Sequence, residues 1–156
     1  MNRPSLFEHA GGTPAFLALA EALHRLCLAD PVLNHPFAQL RNPQHVERLA
    51  EYWAEVFGGP MSYSEGSGGH SAMLLIHAGQ GAGAEFGTRF QACFLRAADE
   101  VGLPPDAPFR SALEEYIEWA VAEVMSYAPE GSSVPAELAM PHWGWSGLEP
   151  EPLRAS

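Results

Sequence analysis

The chain has 156 residues, 47% hydrophobic and 17% charged, which is one domain's length with enough apolar content to fold. Net charge is −11, from 19 acidic residues and 8 basic ones that are all arginine, so the clustered cations that bind nucleic acid or an anionic membrane surface are missing. No stretch reaches the roughly 18 apolar residues of a membrane span, the two cysteines form no framework, and without a leader-like h-region near Met1 to Glu8 a cytoplasmic protein is expected.

The predicted elements are helical. Ser5 caps a short turn over Leu6 to Ala10, and Gly11-Gly12 stops it. Thr13-Pro14 pairs a capping hydroxyl with a proline whose missing N–H costs nothing at a helix start. That helix reaches about Leu28, with Phe16, Leu19, Leu23, Leu26 and Cys27 on its buried side. Asp30-Pro31 opens a short helical piece ended by Pro36-Phe37. Asn42-Pro43 repeats the cap-then-proline signal, and the helix it opens runs to about Val56. His45, Leu49, Trp53 and Val56 share one stripe there, while Arg48, Glu51 and Glu55 face water. Gly58-Gly59-Pro60 ends it, and Met61 to Gly69 reads as a Gly/Ser-rich loop.

A short apolar helix, roughly Ser71 to His77, comes next. Past Gly79, Gly81 and Gly83, a helix of about Ala84 to Val101 puts Phe86, Phe90, Cys93, Phe94, Ala97 and Val101 on its apolar face. Gly102 is its C-cap. Leu103-Pro104-Pro105 turns into the last helix, about Asp106 to Tyr127, with Phe109, Leu113, Tyr116, Ile117, Ala120, Val124 and Tyr127 inward. Beyond Ala128 lies an irregular extension carrying Pro141-His142-Trp143-Gly144-Trp145. Its two tryptophans form a hydrophobic flap over the helices; a homodimer contact is the alternative.

Seven histidines stand out in a chain with little other polar decoration. His9, His35 and His142 fall in loop or terminal contexts, and His70 can cap the helix after Gly68-Gly69. His24, His45 and His77 lie on or beside the apolar stripes of three helices, where a polar ring must find a partner. Zinc usually takes four ligands, often at i+3 or i+4 spacing, and none of these three has a second ligand there. Isolated imidazoles in apolar surroundings suit a large apolar cofactor better; haem iron needs one or two axial ligands and a greasy pocket. A hydrolase or phosphate-loop reading lacks both the Gly-x-Ser-x-Gly elbow and any Gly-Lys-Ser/Thr run.

Several segments, in this order and nearly without gaps, resemble the group II truncated haemoglobins over about Leu6 to Tyr127. They are Phe7-Glu8-His9-Ala10-Gly11-Gly12, Ala29-Asp30-Pro31-Val32-Leu33, Glu51-Tyr52-Trp53 through Gly58-Gly59-Pro60, Tyr63-Ser64 ahead of Gly69-His70, His77-Ala78, and Glu100-Val101-Gly102-Leu103-Pro104. The resemblance implies an all-α, two-over-two helical sandwich holding haem b over residues 1–128, with 129–156 as a C-terminal extension. It implies His77 as proximal iron ligand, Phe37 packing on the haem, His45 on the distal side one turn before Leu49, and Tyr63 near the haem edge.

The departures from the family pattern bear on the same pocket. His24 stands where the group usually has a ligand-donating tyrosine, Phe90 where it has tryptophan, and Ile76 where a basic residue commonly precedes the proximal histidine. The polar burden of the distal side therefore shifts to His24 and His45. The expected function is reversible binding of oxygen or another small diatomic ligand. A bis-histidyl resting iron through His45, and nitric-oxide or peroxide chemistry with an external reductase, fit the same pocket. The competing reading is a haem-free globin-like module that binds a protein partner.

Overall fold

The computed structural model describes residues 3–34, 44–67, 69–77, 83–129, 131–136 and 138–149. Among them are seven helices: α1 (Leu6–Ala10), α2 (Thr13–Ala29), α3 (His45–Val56), α4 (Ser62–Ser67), α5 (His70–His77), α6 (Ala84–Glu100) and α7 (Ala107–Ser126). The α2–α3 pair packs on the α6–α7 pair chiefly through α2 against α6. The result is the all-α two-over-two sandwich of a truncated globin, followed by an irregular extension. No described helix is long and apolar enough to cross a membrane.

Local chemistry explains the boundaries. The Ser5 hydroxyl accepts the Glu8 N–H, and Gly11 closes α1 at φ 118°, a backbone conformation side-chain-bearing residues avoid. Thr13 proves to be the first helical residue and not the cap: Gly12 precedes it at φ 78°, and its carbonyl receives the Ala15 N–H. Asp30 Oδ1 accepts the Val32 and Leu33 N–H groups, turning the chain after α2. Asp106 caps α7 by accepting the Phe109 N–H, ahead of Pro108 in the first turn. Asn42-Pro43 lies outside the described residues, and α3 is entered through Gln44.

The core is the shared interior of these helices. Leu19, Leu23 and Cys27 of α2, Trp53 and Val56 of α3, Phe94 and Ala97 of α6, and Phe109, Leu113, Tyr116 and Ile117 of α7 are buried. A Cβ on Gly87 would lie 2.8 Å from Val121 Cγ1, so that glycine sets how closely α6 and α7 approach. Full burial on α7 ends at Ile117; Ala120 and Val124, and Tyr127 just beyond the helix, are only half-buried.

Two segments differ from the sequence reading. Residues 62–67 form α4 where a loop was expected. Glu55, expected to face water, is 1% exposed and accepts both the N–H (2.9 Å) and the hydroxyl of Ser64, which holds α4 against α3. In the extension, Trp143–Gly144 and Gly147–Leu148 pair as a two-stranded antiparallel ribbon, β1 and β2. Trp143 is buried against Tyr116 and Trp119. Trp145 donates its indole N–H to the Pro4 carbonyl, stacks under the Arg3 guanidinium and meets His9. The flap expected from the two tryptophans is thus docked on the helices.

Candidate functional site

Among the sequence-predicted residues, the structure brings His24 and His45 together. α2 and α3 cross so that their imidazole rings lie 5.6 Å apart between centroids, tilted by 55°. Both are half-buried. Leu49, one turn beyond His45, and Phe90 of α6 are also half-buried and packed against the core, as are Val46, Met73 and Phe86. Each packs against the buried core while keeping part of its apolar surface uncovered.

Tyr63 of α4 is buried at 5% exposure and meets the ring of Tyr52 edge-on at 5.1 Å. Burial pushes its phenol above the ordinary tyrosine range, with Glu55 adding to the rise and Arg48 opposing it. His77 is the last residue of α5, and its side chain lies outside the described residues, as do Phe37 and His35 entirely.

The sequence reading missed a second constellation on the same helices. His70 opens α5 and is 3% exposed; it is not a simple cap. Tyr52 of α3 donates its O–H to His70 Nδ1 at 2.8 Å, and His70 Nε2–H donates to Glu123 Oε1 of α7 at 2.7 Å. This tautomer follows from the carboxylate's inability to donate. Tyr116 lies buried beside Tyr52 and Trp53. Burial holds the phenols of Tyr52 and Tyr116 well above the usual tyrosine range. The only sequence signal for this line was a histidine after two glycines, since its partners sit 18 and 53 residues away.

Cys27 of α2 and Cys93 of α6 lie close enough to influence each other, and both thiols are raised chiefly by burial. Both are free and serve as small packing groups. Among the described residues no cluster of three or more His, Cys, Asp or Glu could chelate a metal ion. The paired imidazoles of His24 and His45, among apolar side chains, are donors of the kind that would suit haem iron, which needs one or two axial ligands.

An all-helical sandwich in which two imidazoles meet across α2 and α3 is a globin-like arrangement. The chain belongs to the bacterial-like globin family, whose model matches residues 5–126. It is similar to the haemoglobin of the thermophilic phototroph Chloroflexus aurantiacus at 30% identity, covering 78% of this chain and 98% of that one, with a TM-score of 0.69. The thermostable haemoglobin of Thermobifida fusca is 29% identical over 85% and 99% of the two chains, with a TM-score of 0.67. The group II truncated haemoglobin of Bacillus anthracis, 17% identical over 85% and 98%, has the same fold at a TM-score of 0.69. No curated protein sequence matches. As a globin the chain is a haem-binding protein for small gaseous ligands.

Proposed function

We propose that the chain carries haem b and reversibly binds oxygen or another small diatomic ligand, with residues 1–128 as the haem domain and 129–156 as its docked extension. The observation that carries this reading is the meeting of His24 and His45 across α2 and α3 within a globin frame. Bound haem supplies an iron with a coordination position open to a diatomic ligand. His77 holds that iron from α5, and His45 or His24 donates an N–H to the ligand. A fixed donor acts more strongly in a dry pocket than in water. Leu49 and Phe90 would keep water from the distal side and Tyr63, with Arg48 nearby, would lie toward the haem edge, while Phe37 is the residue the family pattern assigns to pack on the haem.

The same pair of imidazoles supports a second reading, in which His45 would be an axial ligand of the resting ferric iron. Turnover of nitric oxide or peroxide would then draw on an external electron donor. Absorption spectra of the purified protein test both readings. A Soret band that shifts with carbon monoxide is expected in the ferrous state, together with a low-spin ferric spectrum that becomes high-spin in His45→Leu. A colourless protein that takes up no added haemin overturns the haem reading in favour of a partner-binding module. A water-bound, high-spin ferric form at neutral pH overturns the bis-histidyl one.

A further inference from the structure

The buried line from Tyr52 through His70 to Glu123 is more than a helix pin. An interior phenol next to one unprotonated ring nitrogen can give up an electron without creating an isolated charge. Oxidation makes a phenol strongly acidic, and a cationic phenol in a dry core is prohibitively costly. Here the proton has somewhere to go. His70 Nδ1 accepts it at 2.8 Å, and the resulting imidazolium already faces the Glu123 carboxylate at 2.7 Å. The charge created is therefore paired at birth.

The line also leads outward. Tyr116, buried and close enough to Tyr52 for each phenol to influence the other, lies 6.4 Å from the ring of Trp119, which is half-exposed. Tyr52 thus has both a proton acceptor and a chain of oxidisable rings to the surface.

We infer that Tyr52 is a redox-active tyrosine, with His70 as its proton acceptor, Glu123 holding that imidazole, and Tyr116 and Trp119 linking it to reductants in solution. The step balances. One electron leaves Tyr52 for a one-electron oxidant, namely haem oxidised by hydrogen peroxide. The O–H bond breaks, its proton forms an N–H bond at His70 Nδ1, and a neutral phenoxyl radical remains. A small one-electron donor such as ascorbate returns the electron through Trp119 and Tyr116, and His70 returns the proton. The inference rests on the haem reading for its physiological oxidant alone.

The test is freeze-quench electron paramagnetic resonance of the ferric holoprotein after hydrogen peroxide, with ring-deuterated tyrosine to identify the radical. A parallel arm uses apoprotein oxidised by a photo-excited ruthenium complex. A tyrosyl signal is expected in both arms and is absent in Tyr52→Phe. His70→Gln keeps an acceptor for Tyr52 and a donor for Glu123 but removes the base. It is expected to lower the yield about tenfold, the factor that one pKa unit of proton driving force supplies, with circular dichroism unchanged. Trp119→Phe is expected to lengthen the radical's lifetime under ascorbate. A signal that survives Tyr52→Phe, or a His70→Gln yield equal to wild type, overturns the inference. A missing Soret band defeats only the haem reading, since the photo-oxidised apoprotein still decides the role of Tyr52.

Discussion

Replacing Glu55 by alanine takes away the carboxylate that holds α4. Both of its contacts end on Ser64, the N–H at 2.9 Å and the hydroxyl. Glu55 itself is 1% exposed, so water does not replace what is lost. Hydrogen bonds to a charged group contribute about 1.5–3 kcal/mol each. Ser64 is half-buried and regains some solvation, so the lower figure applies to each contact, and the pair amounts to about 3 kcal/mol. For a chain of this size each kcal/mol moves the melting midpoint by roughly 2–4 °C, which gives a fall of about 6–12 °C. Glu55→Gln keeps one carbonyl acceptor and should lose about half as much. Thermal and urea unfolding by circular dichroism read the stability, and amide exchange at Ser64 reads the local opening. A Glu55→Ala midpoint within about 0.5 kcal/mol of wild type, the scatter of an ordinary surface change, would refute the reasoning.

Converting both His24 and His45 to leucine removes the distal donors. At about 1.5 kcal/mol for one good hydrogen bond, oxygen release measured by stopped flow should quicken about tenfold, and an unchanged rate contradicts the donor role. Stability should fall at both ends of the pH scale. At the acid end, burial pushes the Asp30 carboxyl up but the Val32 and Leu33 N–H groups and Arg89 outweigh it, while the His9 hydrogen bond leads the lowering at Asp106. Both are held below the ordinary range, so their contribution is full above about pH 4 and disappears as pH drops through their folded values. At the alkaline end Cys27, Tyr52 and Tyr116 are raised by burial, so stability is lost once pH climbs past their ordinary values. Urea midpoints against pH should show both limbs, and Asp30→Asn should flatten the acid one.

Elements whose signals are local were legible in the sequence. α1 and α7 begin where Ser5 and Asp106 supply their own caps, and the apolar spacing of α2 names residues that are all buried, whereas on α6 it names Phe94 and Ala97, which are buried, and Phe86, Phe90, Cys93 and Val101, which are only half-buried. α4 was hidden because its stabilising group, Glu55, lies on the preceding helix and reads as a solvent-facing charge in the heptad. The Tyr52–His70–Glu123 line was hidden for a similar reason: a histidine's partner 53 residues away leaves no spacing to read. Resemblance to a family put His24 and His45 in one pocket, which periodicity alone could not do, since neither helix encodes the angle at which it crosses the other. The roles of Phe37 and the His77 side chain lie outside the described residues.

The hydrogen bond between the Trp145 indole and the Pro4 carbonyl spans 141 residues of chain. During synthesis it is therefore among the last contacts to form. Until residues 143–145 leave the ribosome, the faces of Tyr116, Trp119 and Phe109 that the ribbon covers stay open to solvent. The nascent globin is thus exposed to wrong pairings at this surface after its four main helices have been made. The flap acts as a completion seal, and a chain truncated before Trp143 should show its defect first as poor recovery from the cell and only second as a lowered melting temperature.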